Sequence, residues 1–259
     1  MELTVSQEQI PSNWWKDFFE SDLWAQVHIK IKTREQTLKE IDFIKKVAPK
    51  EGPLSILDMP CGIGRHAIEL AREGHFVVGV DNSKNLLRIA SENSRELTHK
   101  PEWQRGDMRT FKRVNAFDMI LTMWGSLGYF TDDETLQMFT NIRESLKAGG
   151  VLVFEQPVID SFLRGGFSQN HWSERDGLYL MEKTNWISET GRNESEWVFV
   201  DGGKVSSHKS SIRIFTHREL CSLLHQAGFG SIKSYGSMEL KPFAVGDRLF
   251  CVAQVGAGQ

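Results

Sequence analysis

The chain has 259 residues, 25% of them charged and 40% hydrophobic, with a formal net charge of −3. That length supports one large domain, or a domain carrying an insertion, with a core big enough to enclose a pocket. The charge balance gives no basic field to hold nucleic acid by counterion release, and nowhere do about eighteen apolar residues run together as a membrane span requires.

The amino-terminal residues lack a basic stretch followed by an apolar one, so no export signal is expected. The three cysteines, Cys61, Cys221 and Cys251, are odd in number and without CxxC spacing, which argues against a disulfide framework and against a zinc site. The expectation is a soluble cytoplasmic protein with no metal, whose partner is a small molecule rather than a nucleic acid or a membrane.

In chain order, residues 1–50 stand apart as a helical cover or lid. "NWWKDFFESDLWAQV" is aromatic and amphipathic, and "TREQTLKEIDFIKKV" has helical spacing. From Leu54 onward short apolar runs alternate with helix-period segments, the pattern of βαβ units in a parallel sheet. Strands are expected at Leu54–Asp58, Phe76–Asp81, Trp103–Gly106, Phe117–Met123 and Val151–Gln156. Helices are expected at Gly64–Glu73, Lys84–Leu97 and Asp133–Lys147, and glycines follow the first and third of these, where a left-handed residue ends a helix.

From about 160 to 213 the pattern changes to alternating segments joined by Gly, Asn and Asp turns, with "DGGK" as a hairpin tip, which predicts an inserted antiparallel sheet. Thr216 with Glu219 forms a capping box for a helix that stops at Gly228. Strands at Ser231–Tyr235 and Arg248–Val255 then complete the main sheet. The fold class is α/β: a Rossmann-like, doubly wound, mostly parallel sheet of seven strands, with a small antiparallel insertion and an amino-terminal helical cover.

The chemistry centres on "ILDMPCGIGRHAIEL". Glycines between a strand and a helix let ligand atoms reach the backbone, and the free N–H groups of the first helical turn favour anionic groups. Gly62 to Ala67 satisfies GxGxxG/A, and Asp81 follows Gly62 by nineteen residues at the second strand end, where an acid takes ribose hydroxyls. On that evidence alone a nicotinamide dehydrogenase is admissible. Two further acids tilt the choice. Asp58, in the first strand end, suits an ammonium group, and Asp107, after the third strand, can accept from an adenine amino group while the Met108 backbone meets the ring. A dehydrogenase would leave both without a task.

With these residues in view the chain resembles a class I S-adenosylmethionine-dependent methyltransferase of the small-molecule type. The matching motifs are Leu57–His66, Gly79–Asp81, Gly106–Arg109, Phe117–Phe130 and Leu146–Gly150, in the family's order, with Ala148 where the family has proline; Ile214–Gly228 resembles the family's later helix. The resemblance implies S-adenosyl-L-methionine as cofactor. Asp58 and the Cys61–Gly64 backbone, with Gly62 and Gly64, would receive the methionine moiety, Asp81 the ribose, Asn82 the adenine face, and Asp107 with Met108 the adenine edge. The Met123–Trp124 backbone would border the methionine amino group.

A sulfonium methyl is already electrophilic, so the enzyme need mainly align a nucleophilic N, O, S or C and exclude water. Should the acceptor need a base, His66, Tyr129 and His171 are the candidates. Candidates for the acceptor pocket are Trp14, Trp15, Trp124, Tyr129, His171 and Trp172, each weighed against plain packing or exposure. Arg65 is read as solvent-exposed in a first helical turn, and Glu155 as a capping or pairing residue. Two other readings stand beside transfer: a non-catalytic binder of the same cofactor, and the dehydrogenase.

Overall fold

The computed structural model describes residues 10–163 and 170–256. Three helices lead: α1 (Trp15–Glu20), α2 (Asp22–Ile31) and α3 (Arg34–Lys46). Thr33 caps α3, its hydroxyl accepting from the Gln36 N–H while the Gln36 side chain accepts from the Thr33 N–H. The βα alternation follows as β1 (Ser55–Asp58), α4 (Arg65–Arg72), β2 (Phe76–Asp81), α5 (Lys84–Asn93), β3 (Glu102–Arg105), β4 (Phe117–Thr122), α6 (Asp132–Ser145) and β5 (Leu146–Gln156). A short α7 (Ile159–Phe162) leads to β6 (Asn170–Arg175), β7 (Leu178–Ile187), β8 (Arg192–Asp201) and β9 (Lys204–Arg213); α8 (His217–Gln226), β10 (Ser231–Tyr235) and β11 (Leu249–Gln254) complete the chain.

The main sheet has seven strands in the order β10-β11-β5-β4-β1-β2-β3, parallel except for β11, which runs antiparallel to both β5 and β10. Both faces are buried, which is why its central strands read as continuous apolar runs. Along β1 and β4, Ile56, Met119 and Leu121 pack with Phe43, Ile44 and Leu70 of α3 and α4. Leu57 and Ile120 face the other way, toward Met138, Phe139, Leu220 and Leu224 of α6 and α8. The second sheet is the antiparallel meander β6-β7-β8-β9. The expected insertion began near 160, and its stretch 164–169 lies outside the described residues.

The start of β5, at Leu146 rather than Val151, and the ends of α5 and α6 differ from the sequence expectation by two residues or more. Helix α6 stops at Ser145, before Lys147, because "LKAGG" is drawn into β5: Leu146 pairs with Phe117, and the Ala116 N–H donates to the Ser145 carbonyl at 3.0 Å. Helix α5 ends at Asn93 rather than Leu97, and there the Ser94 hydroxyl donates to the Ser91 carbonyl and accepts from Trp103 Nε1 at 3.1 Å.

Helices α1 and α2 lie between the inserted sheet and α5. Lys30 Nζ pairs with Asp201 at 2.9 Å and donates to the Asp176 carbonyl at 3.0 Å, and Arg175 donates to the Ile31 carbonyl at 3.2 Å. On the α5 side, Glu20 accepts from the Lys84 N–H at 3.0 Å and Asp22 from Asn85 Nδ2 at 2.9 Å. No helix among the described residues is long and apolar enough to cross a membrane.

Candidate functional site

The loop between β1 and α4 is held from three sides. The Met59 N–H donates to the Leu121 carbonyl and the Cys61 N–H to the Val80 carbonyl, each at 2.9 Å, while Thr122 Oγ1 donates to the Met59 carbonyl at 3.0 Å. Asp81 ties the turn from below, its carboxylate accepting from the Gly62 N–H at 2.8 Å and the Ser83 N–H at 2.9 Å. Gly62 and Gly64 have φ of +54° and +77°, a conformation that favours glycine. The two glycines meet different neighbours. A Cβ on Gly62 would lie 3.2 Å from the His28 ring, whereas one on Gly64 would lie 2.4 Å from the Trp103 indole.

Beyond this loop, at the carboxyl edge of β1 to β4, a cavity of about 1250 Å³ opens beneath α1 and α2. Cys61, Gly62, Asp81, Asn82, Asp107, Met108, Met123, Trp124 and Tyr129 line it, as do Trp14, Trp15 and His66. The loop and the acids of three adjacent strands thus share one sheet edge, at the point where the strand order reverses and α/β sheets bind ligands.

Four expected residues are absent from the cavity lining: Asp58 is buried at the end of β1 without lining it, and three others sit elsewhere. Gly64 is turned to Trp103, so its missing side chain makes room for an indole rather than a ligand. His171 and Trp172 are exposed on β6, the edge strand of the inserted sheet, with Trp172 70% exposed, and neither reaches the cavity. Residues not expected there also line it, among them His28, Arg65, Trp197 and Ser210. Alternation along β8, which puts Trp197 and Phe199 on one face, is the only signal that could have found one of them.

The charges divide the cavity. Asp58 is 1% exposed and neither carboxylate oxygen has a hydrogen-bond partner. Burial pushes its pKa up to about 7 against the opposing pull of Arg65, and the Ala67 N–H aids the charged form without completing a hydrogen bond. Arg65 is not a surface residue. It pairs with Glu40 and donates to Thr37 Oγ1 at 3.2 Å, while its Nη2 is buried without a partner.

Glu40 also meets His66 Nε2 at 2.7 Å. Burial alone would raise Glu40, but the hydrogen bonds and charges of His66 and Arg65 hold it at about 2. Burial and the Arg65 charge bring His66 down to about 4, so near neutrality the lasting ion pair is Arg65 with Glu40. Asp81 is raised by burial, opposed by its backbone donors. Asp107 is also partly desolvated, yet the Arg109 guanidinium, 2.6 Å from its carboxylate, holds it low.

The other end is aromatic. His28 lies 4.7 Å from the Trp124 ring and 5.4 Å from that of Trp24, edge on to both. Burial, with Arg65 and Lys32 nearby, lowers its pKa to about 3, so the ring is neutral. Trp124 has φ of +64°, rare for a bulky residue and a mark of a constrained site. Tyr129 is raised by burial and donates to the Gly125 carbonyl at 3.5 Å, so its hydroxyl keeps its proton at ordinary pH.

A glycine turn, strand-end acids and a large cavity at the switch point of a doubly wound sheet define an α/β enzyme built for a nucleoside-bearing cofactor. Comparison with known proteins narrows this. Residues 56–150 match the family model described as "Methyltransferase domain". The chain is 27% identical over 191 residues to the dTDP-3-amino-3,4,6-trideoxy-alpha-D-glucopyranose N,N-dimethyltransferase of Streptomyces venezuelae, covering 73% of this chain and 76% of that protein. A methyltransferase relative from Geobacillus sp. (strain WCH70) is 36% identical over 107 residues, 41% of this chain and 43% of that protein. The fold matches that of the CcbJ methyltransferase from Streptomyces caelestis with a TM-score of 0.78 at 17% identity, over 93% of this chain and 98% of that one. Residues 56–150 are thus a methyltransferase domain, on a fold shared with solved S-adenosylmethionine-dependent methyltransferases.

Proposed function

We propose that this enzyme binds S-adenosylmethionine against the sheet edge and passes its methyl group to a small-molecule acceptor held in the aromatic half of the same cavity. The observation that carries the reading is a pair of buried groups with unfilled hydrogen-bonding capacity beside the glycine loop: the Asp58 carboxyl and Arg65 Nη2, one nitrogen of a guanidinium whose other arm is paired with Glu40. Unpartnered buried polar groups are costly, and a ligand bearing both an ammonium and a carboxylate offsets both at once. The methionine end of the cofactor is such a ligand.

In this reading Asp58 and Arg65 take the amino acid end, with the Cys61–Gly64 backbone and the Met123–Trp124 backbone beside it. Asp81 takes the ribose, Asn82 the adenine face, and Asp107 with the Met108 backbone the adenine edge. The bound cofactor supplies a methyl group on a positively charged sulfur, already reactive toward a nucleophile. The chain's own tasks are to orient the acceptor and exclude water, both met by the aromatic walls. A small acceptor agrees with the Streptomyces venezuelae relative, an N,N-dimethyltransferase named for an amino sugar nucleotide. Three free cysteines agree with a reducing cytoplasm as the compartment.

Calorimetric titration with S-adenosylmethionine tests the site. Asp81→Ala is expected to weaken binding more than about tenfold, the loss of a charged hydrogen-bonding partner, in a protein whose circular dichroism is unchanged. Equal affinity in the folded variant refutes the assignment. Release of S-adenosylhomocysteine with any acceptor separates the enzyme from a cofactor-binding protein without activity.

A further inference from the structure

We propose that the aromatic half of the cavity selects a flat aromatic acceptor whose nucleophile bears a hydrogen, O–H or N–H, that is donated to His28. The proposal rests on the methyl-transfer reading and adds the chemical class of its substrate.

The first ground is the wall. Trp14, Phe18, Phe19, Trp24, Trp124 and Trp197 converge from α1, α2, the loop after β4 and β8. The Trp24 and Trp124 rings stack on each other, planes 20° apart and centroids 6.2 Å apart, and both line the cavity. Tyr129 stands edge on to Trp14 at 5.8 Å. Such faces gain most from another planar ring, through area and through offset or edge-to-face packing.

The second ground is what this wall lacks. Among the described lining residues the only full charges are Arg65, Asp81 and Asp107, and in the methyl-transfer reading all three are committed to the cofactor at the glycine loop and strand ends. Toward a diphosphate the aromatic end offers Lys32, already 3.8 Å from Glu40, and toward a small zwitterion it offers no lining carboxylate. An aliphatic ammonium would have to enter beside Lys32, whose own ammonium already lies 4.8 Å over the Trp124 ring, and beside Arg65. Like charges make the box unfavourable for a second cation despite its aromatic faces.

The third ground is His28. Its ring packs between Trp24 and Trp124 and against Gly62, at the seam between the cofactor end and the aromatic end. Its nitrogens have no hydrogen-bond partner among the described residues, and the side chain lines the cavity. Every other titratable group facing it is either committed or a cation: Arg65 from α4, Lys32 beyond α2, and Glu40 of α3 engaged with Arg65 and His66. A neutral imidazole with an open lone pair accepts a hydrogen bond, so the group it faces is a donor. The buried, unpartnered indole N–H groups of Trp14 and Trp24 favour further oxygen acceptors on the same molecule.

The test is calorimetry on protein first saturated with S-adenosylhomocysteine, whose binding is measured separately so that failure of the cofactor reading shows before any acceptor is added. The probes are catechol, its dimethyl ether veratrole, glycine, dTDP-glucose and tetramethylammonium. Catechol is expected to saturate the loaded protein; glycine, dTDP-glucose and tetramethylammonium are not. Trp24→Ala is expected to weaken catechol by about tenfold or more, and Trp24→Phe, which keeps a stacking face, by less than about threefold. His28→Ala should weaken catechol but leave veratrole, which has no hydrogen to donate, unchanged relative to wild type, and His28→Gln should restore part of the loss. Saturation by dTDP-glucose, glycine or tetramethylammonium in place of catechol, no binding of either aromatic probe, or equal catechol affinity in Trp24→Ala and His28→Ala overturns the proposal.

Discussion

Gly64→Ala tests whether the glycine loop is shaped by packing as much as by ligand. A Cβ at this position would lie 2.4 Å from Trp103 Cη2 and 3.1 Å from both Trp103 Cζ2 and Ala90 Cβ. The first distance is far inside contact, and Trp103 cannot retreat freely because its indole N–H bonds Ser94 Oγ and its ring also covers Gly79, whose own Cβ would lie 2.3 Å away. The φ of +77° adds about 1–2 kcal/mol for any residue with a Cβ. Overpacking adds about 1–3 kcal/mol, and loss of the indole hydrogen bond about 1 kcal/mol.

The expected destabilisation is about 3–6 kcal/mol, or a fall in Tm of roughly 6–24 °C for a chain of this size. Urea unfolding followed by circular dichroism measures it. Combining Gly64→Ala with Trp103→Leu should recover the steric part and leave the backbone part, giving a coupling of about 1–3 kcal/mol between the two sites. A loss under about 1 kcal/mol for Gly64→Ala, or strict additivity with Trp103→Leu, refutes the reasoning. Gly62→Ala should behave differently. Its Cβ meets His28 rather than Trp103, so its effect belongs in ligand affinity.

Asp58→Asn should stabilise the ligand-free protein while weakening cofactor binding. The carboxyl of the unfolded chain ionises near its ordinary 3.8 but the native one only near 7, so stability is lost as pH rises between those values, by about 4 kcal/mol in all; because this loss offsets part of an opposite histidine effect, denaturant midpoints at pH 4 and pH 7 should differ more in the variant. The neutral histidines act in the opposite sense. His28 and His66 stay uncharged in the fold down to about 3 and about 4 while the unfolded chain takes up protons at 6.5, so stability falls as pH drops below 6.5. Between about pH 4.5 and 6 these three groups leave a net slope of about 1.4 kcal/mol per pH unit, and His28→Gln should nearly flatten it; an unchanged slope would show that His28 titrates normally in the native state.

The parallel half of the fold was legible because its central strands are buried on both faces and each strand ends on a polar residue, so periodicity and chemistry mark the same boundaries. Asp58, Asp81 and Asp107 could be gathered at one edge from the sequence because strand order in a doubly wound sheet makes neighbours of β1, β2 and β3. The acceptor side was not legible in this way. Arg65 looks like an ordinary first-turn residue until α3 brings Glu40 against it, a contact 25 residues away in sequence. His28 carries no motif, and its placement depends on how α2 crosses the cavity. His171 and Trp172 attracted attention by type, yet an edge strand turns them to solvent. Gly64 fitted the fingerprint for a reason the fingerprint does not contain, the indole of Trp103.

The clasp that joins Lys30 to Asp201 and the Asp176 carbonyl, and Arg175 to the Ile31 carbonyl, links stretches more than 140 residues apart. Neither stretch belongs to the parallel layer that carries the strand-end acids. Substrate taste can therefore drift in one region of the gene while nucleotide handling stays fixed in another. The drift has a constraint, since a change in the tip of either hairpin must be matched across the clasp. Natural variants with altered acceptors should accordingly show paired changes at these two ends of the chain.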